Sequence, residues 1–191
     1  MNTDKLLLLD KKRFKALRRS WLFNLVPFID RVYIAGSLAL GHVHENSDFD
    51  VIVVTRPGRL YTARFFCLLF FGLLGWRRML KNPKDGFCFN HFTSGLPANV
   101  KFSHSDGRHN KGIELYAECL YRNLIEMPTN SMKLSDGLIR PMSKTVERLL
   151  KWWQIRRIEK FLKKFPPPVN SIIIYNDEKV ELCFDLKEKN S

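Results

Sequence analysis

Apolar positions recur at helical spacing through the first 26 residues. Phe14, Leu17, Trp21 and Leu25 share a face, basic residues fill the gaps, and Pro27 marks an end, so an amphipathic helix is predicted. The pattern then shortens. Residues 31–35 read as a strand, Gly36 breaks it, residues 37–40 open a short helix, and 41–47 form a polar loop. Residues 48–55 read as a second strand, β-branched and continuously apolar from Val51, the pattern of a strand covered on both faces. After a turn at Arg56-Pro57-Gly58, a long apolar helix is predicted over 59–80, a turn over 81–86 and a third strand over 87–92.

Beyond this point the periodicity weakens. Residues 93–112 are polar, basic and aperiodic, which predicts a long loop. A helix is expected over 114–126, stopping before Pro128, and a longer one over 143–165. The apolar stripe of the longer helix is Val146, Leu149, Leu150, Trp153, Ile158, Phe161, Leu162 and Phe165. Trp152 and Trp153 cannot both face one core. Strand-like runs at 171–175 and 179–185 flank Asn176-Asp177, as in a hairpin. A change of composition near Ser131 divides the chain into residues 1–128 and a helical appendage over 129–191, ending in that hairpin and packed on the first unit.

Composition narrows the class. At 191 residues and 45% hydrophobic, the chain can bury a core without disulfides. Cys67, Cys88, Cys119 and Cys183 are scattered among apolar residues with no C-x-x-C pair. They read as buried free thiols, which fits a cytoplasmic location and gives no support to a zinc ribbon. The five histidines show no metal-ligand spacing. The 12-residue apolar stretch over 65–76 is too short to span a bilayer, and the run over 6–9 is too short for a secretory signal, so no transmembrane segment is expected. A net charge of +13 favours polyanionic partners: nucleotides, nucleic acid or an anionic membrane surface.

The chemistry concentrates in one stretch. A strand ends in Gly36-Ser37 where a short helix starts. Glycine permits a sharp turn and close approach to phosphate, the amides at a helix start attract phosphate oxygens, and the Ser37 hydroxyl can donate one more bond. Asp48 and Asp50, two apart on a strand, point to the same face. Paired carboxylates repel unless a cation lies between them, and Mg²⁺ binds through one or two carboxylates together with substrate phosphates.

Val32-Tyr33-Ile34-Ala35-Gly36-Ser37, ten residues, and then Asp48-Phe49-Asp50-Val51-Ile52-Val53-Val54 resembles the signature of the DNA polymerase β nucleotidyltransferase superfamily, with Ser47 completing its Ser-Asp-x-Asp form. The resemblance implies an α/β (α+β) fold, a small mixed sheet flanked by helices. It also implies Mg²⁺-dependent transfer of a nucleoside monophosphate from an NTP to a hydroxyl of a nucleic acid, small molecule or protein. Gly36, Ser37 and Ser47 would hold the nucleotide, and Asp48 and Asp50 would bind two Mg²⁺ ions. The family's third acid has no counterpart on the strand over 87–92. Asn90 stands at a matching place, with Asp85, Glu114 and Glu118 as substitutes, and Arg59 or Arg64 could reach phosphates. His42, His44 and His91 lie near the motif. The alternative is an inactive module of the same fold that binds nucleotide or nucleic acid. A third reading makes the chain one half of a partner system, docking through its C-terminal helix. The basic loop Lys101–Lys111 and the basic face of the 143–165 helix are the candidate nucleic-acid surfaces.

Overall fold

The computed structural model describes residues 3–79, 83–95, 144–169 and 171–184, together with the backbone of Ile125 and Glu126. The chain forms α1 (Thr3–Arg19), a 3₁₀ segment (Ser20–Leu25), β1 (Ile29–Ile34), α2 (Gly36–Leu40) and β2 (Phe49–Thr55). It continues with α3 (Leu60–Leu73), β3 (Phe87–Ser94), β4 (Ile125–Glu126), α4 (Lys144–Lys164), β5 (Ile172–Tyr175) and β6 (Lys179–Cys183). The strands make one mixed sheet in the order β4-β1-β2-β3-β6-β5. β2 and β3 run parallel, and the other neighbours are antiparallel. This is the expected mixed sheet with flanking helices.

One sheet face carries Phe49, Val51, Val53, Phe87, Phe89, Phe92, Val180 and Leu182 into the core, where they meet Phe23 of the 3₁₀ segment and Phe71 of α3. The opposite face carries the polar residues of the site. No helix among the described residues is long and apolar enough to cross a membrane.

Four expectations change. The first helix gives way to 3₁₀ geometry at Ser20, whose hydroxyl donates to Leu17 O at 2.7 Å. α3 stops at Leu73 instead of residue 80, because the chain turns back and lies beside β3. There Phe87 N donates to Trp76 O at 2.7 Å and Arg78 N to Phe87 O at 2.9 Å. Gly86 permits this approach, since a Cβ there would stand 2.7 Å from Arg78 Cα. Residues 125 and 126, expected at the end of a helix, are a strand: Glu126 pairs with Tyr33 and Ile125 with Ile34, supplying partners to the β1 edge. The loop expected over 93–112 lies outside the described residues beyond Gly95, as does the rest of the 114–126 helix.

The fourth change concerns α4. It docks on α3 along Glu147, Leu150, Gln154, Ile158 and Leu162, a seam with two polar members. Glu147 accepts bonds from Tyr61 N at 2.8 Å and Thr62 N at 2.9 Å and from the Thr62 hydroxyl, satisfying the open amides at the start of α3. Buried Gln154 donates to Tyr61 O at 2.7 Å and accepts from Arg64 Nη1 at 2.7 Å. Leu149, Trp153, Phe161 and Phe165, expected in the apolar stripe, are exposed, as is Trp152. The hairpin forms. Asn176 Oδ1 accepts from Glu178 N and Lys179 N, closing its turn, and β6 then joins β3 and extends the sheet.

Candidate active site

The Gly36-Ser37 turn and the acid strand touch through their backbones. Ala35 N donates to Asp50 O at 2.9 Å, and β1 pairs with β2 so that Ile34 lies opposite Val51. Gly36 has φ +60°, a region costly for other L-residues. A Cβ at Gly36 would collide with Asp50 Oδ2 and stand 3.0 Å from Asp50 Cγ. The missing side chain is therefore the space that the carboxylate occupies.

Asp48 precedes β2 and Asp50 lies within it. Burial, and then the negative charge of Asp48, push the Asp50 carboxyl up to about 6. Cys88 stands opposite Asp50 in the β2–β3 register, and ligand atoms of Asp48, Asp50 and Cys88 all fall within 4.8 Å of one another. Arg78 closes the group. Its Nε lies 3.0 Å from Asp48 Oδ2, a Coulombic approach rather than a well-aimed hydrogen bond, and its Nη1 is 3.4 Å from Cys88 Sγ. The cluster draws a cation in the form of a guanidinium. Two carboxylates suit a hard divalent ion, whereas the thiol does not.

The strand mouth is braced from α1. The buried Lys12 ammonium donates to Ser47 O at 2.9 Å, Glu45 O at 3.0 Å and Asp85 Oδ1 at 2.8 Å. Lys15 reaches Asp85 Oδ2 at 2.6 Å, and Arg19 donates to Asp85 O at 2.7 Å. Burial opposes the charge on Asp85, but the Lys12 and Lys15 bonds outweigh it and hold its carboxyl below the usual value. Asp85 is thus committed to these lysines and does not serve as the third acid.

Other anticipated residues scatter. Ser37 lies in α2, and its carbonyl accepts the amide of His42 at 2.8 Å. Ser47 spends its hydroxyl on His44 N at 2.8 Å, closing the loop. Asn90 falls where the β2–β3 register slips between Asp50 and Ile52, so Cys88, not Asn90, faces Asp50. Arg64 is not brought to the site. It lies on the core side of the sheet, bonded to Gln154 and 5.9 Å from the Phe92 ring centroid, with its basicity lowered to about 10 by burial. Arg59 stacks on Phe28, and His42 and His44 are exposed. His91 pairs with Glu181 on β6. Glu114, Glu118 and the basic loop over 101–111 lie outside the described residues.

Lys12, Arg78 and Cys88 were missed by the sequence reading. Arg78 had a signal, the glycine at 86 where a chain must pass close. Lys12 had none beyond its place in a basic helix.

A family model described as a nucleotidyltransferase domain matches residues 11–114, more than half of the chain. No curated protein matches it.

Proposed function

We propose, from the premise that this chain belongs to the nucleotidyltransferase domain family, that it moves a nucleoside monophosphate from an NTP to a hydroxyl acceptor with Mg²⁺. One observation carries this reading: the Gly36 turn lies directly against Asp50, so the phosphate-binding turn and the acid pair form one site. Gly36 and Ser37 hold the triphosphate, with Ser47 shaping the loop before the acids. Asp48 and Asp50 hold the metal. When bound, Mg²⁺ offsets phosphate charge and lowers the barrier to in-line displacement. Two ions are the family expectation, and the pair Asp48 and Asp50 provides for the first of them. The Asp50 carboxyl, raised to about 6 by its desolvated site, is ionised at neutral pH and would hold the metal in that form. Arg78, beside Asp48, is placed to meet phosphate oxygens of a nucleotide held at the acid pair.

The acceptor we favour is a nucleic-acid end. Its support is the net charge of +13 and the basic, aromatic outer face of α4, where Arg148, Lys151 and Arg156 surround Trp152. A protein partner on the exposed Leu149 and Trp153 is the alternative use of that helix. We further propose residues 1–128 as the nucleotidyltransferase-like unit, with 129–191 joined to it by α4 against α3 and by the hairpin, whose β6 extends its sheet.

Cys88 opposite Asp50 favours a second reading, in which the fold binds nucleotide without transferring it. Incubation with each α-labelled NTP, Mg²⁺ and RNA, DNA or small hydroxyl acceptors decides between them, with Asp48→Asn/Asp50→Asn as the blank. Label transferred by the native chain and absent from the blank supports the enzyme. Mg²⁺-dependent NTP binding without transfer to any acceptor supports the binding module.

A further inference from the structure

β3 and β6 are antiparallel neighbours, and His91 stands directly opposite Glu181. Cys183, two residues beyond Glu181, lies on the same face of β6. Three residues of ligating type, remote in sequence, are thereby set on one patch of the sheet. Cys183 Sγ is 3.4 Å from His91 Nε2 and 3.9 Å from Glu181 Oε1, and His91 Nδ1 is 3.8 Å from the same oxygen. One ligand atom from each falls within 4.8 Å of the others.

Cys183 approaches Nε2 of the ring and Glu181 approaches Nδ1, so only one of the two nitrogens can ligate, and the three side chains would close on an ion from within 4.8 Å of one another. Zinc binds imidazole nitrogen and carboxylate oxygen at about 2.0–2.2 Å and thiolate sulfur at about 2.3 Å, which makes the edges of a tetrahedron about 3.5 Å. The Glu181 carboxylate divides its oxygens: Oε2 meets Lys179, while Oε1 is turned to the ring and the thiol. Lys179 therefore balances the charge of a fully buried carboxylate whose other oxygen faces the ring and the thiol.

We propose that His91, Glu181 and Cys183 form a site for a zinc-class divalent cation, separate from the Asp48–Asp50 pair and one strand further along the same sheet face. The mixed nitrogen, oxygen and sulfur set selects a borderline ion over Mg²⁺. Three protein ligands leave a fourth position for water or a small anion. The proposal does not depend on nucleotidyl transfer.

Cobalt(II) is the probe. The full chain, without a histidine tag and stripped with a chelator, is titrated with Co²⁺ in excess Mg²⁺, which occupies hard carboxylate sites. The expected result is one equivalent bound, with a sulfur-to-cobalt charge-transfer absorption that Zn²⁺ removes. Cys183→Ser abolishes that absorption, His91→Ala weakens binding at least tenfold, and Cys88→Ser leaves both unchanged. Absence of the absorption in the native chain overturns the proposal without any variant being needed. An absorption that survives Cys183→Ser and is lost in Cys88→Ser also overturns it, placing the ion at the acid pair.

Discussion

Replacing Gly36 by alanine tests the geometry on which the active-site reading rests. The φ of +60° costs an alanine about 1–2 kcal/mol. The new Cβ also collides with Asp50 Oδ2, so the carboxylate must leave its rotamer, at a further cost of about 0.5–1.5 kcal/mol. Together these predict a loss of about 1.5–3.5 kcal/mol, or roughly 3–14 °C in melting temperature for a domain of this size. Gly58 is the control. It has φ +70° with nothing within 4 Å of its would-be Cβ, so Gly58→Ala pays only the backbone cost. Urea unfolding of Gly36→Ala, Gly58→Ala, Asp50→Ala and the Gly36→Ala/Asp50→Ala double variant separates the two contributions. In the Asp50→Ala background the Gly36 substitution should cost less than in the native chain, because Oδ2 and Cγ are gone, but still more than Gly58→Ala, because the Cβ of residue 50 remains 3.1 Å from the new methyl. Label transfer should fall with Gly36→Ala even where the protein remains folded. If Gly36→Ala costs the same with and without Asp50, the turn and the acid are not in contact and the reasoning fails.

Further outcomes follow from other contacts. Glu147→Ala should destabilise the protein by about 1–2 kcal/mol in urea unfolding, by opening the α3 amides of Tyr61 and Thr62. Asp85→Asn should cost about 3 kcal/mol, since it strips the buried Lys12 of its carboxylate; calorimetry reads this as a lowered midpoint. The raised Asp50 carboxyl means that the folded state holds an extra proton between pH 3.8 and about 6, so its contribution is complete below pH 3.8 and is lost as pH rises through 6. Relative to Asp50→Asn, the metal-free native chain should therefore be more stable at pH 5 than at pH 7.5 by about 1.4 kcal/mol; a flat difference refutes the assignment. Mg²⁺ affinity should move the opposite way, weakening below pH 6 as Asp50 takes up its proton.

What could be read in advance was whatever a short stretch of chain decides. The Gly36-Ser37 turn, the acids two apart and the apolar run of β2 are local, and they stand where the alternation put them. The mixed sheet followed from the resemblance those residues carry. The misplaced parts depend on what a residue meets from elsewhere. The face of α4 was read as a stripe of apolar side chains, yet the seam with α3 is organised by Glu147 and Gln154, whose partners are backbone groups of Tyr61 and Thr62. No periodicity of apolar residues marks a polar anchor of that kind. Residues 125 and 126 read as the end of a helix but answer to the open edge of β1.

The third-acid position shows most clearly why counting fails. Strict alternation along β3 places Cys88 and Asn90 on the face of the acids and turns His91 away. The register against β2 slips once: Cys88 lies opposite Asp50, yet His91, not Asn90, lies opposite Ile52. One extra residue restores His91 to the polar face and sends Phe92 into the core, where it is fully buried. Cys88 stands beside the acid pair by plain alternation, before the slip, whereas the slip sets His91 against Glu181 and so assembles the His91, Glu181 and Cys183 group one strand away. A β-bulge carries no signature in this stretch of side chains, and only the pairing of β3 with both neighbours reveals it. The nitrogen at His91 is therefore a consequence of the slip and the sulfur at Cys88 of the pairing before it, so the chemistry open to this face of the sheet depends on the β2–β3 register as much as on the acids themselves.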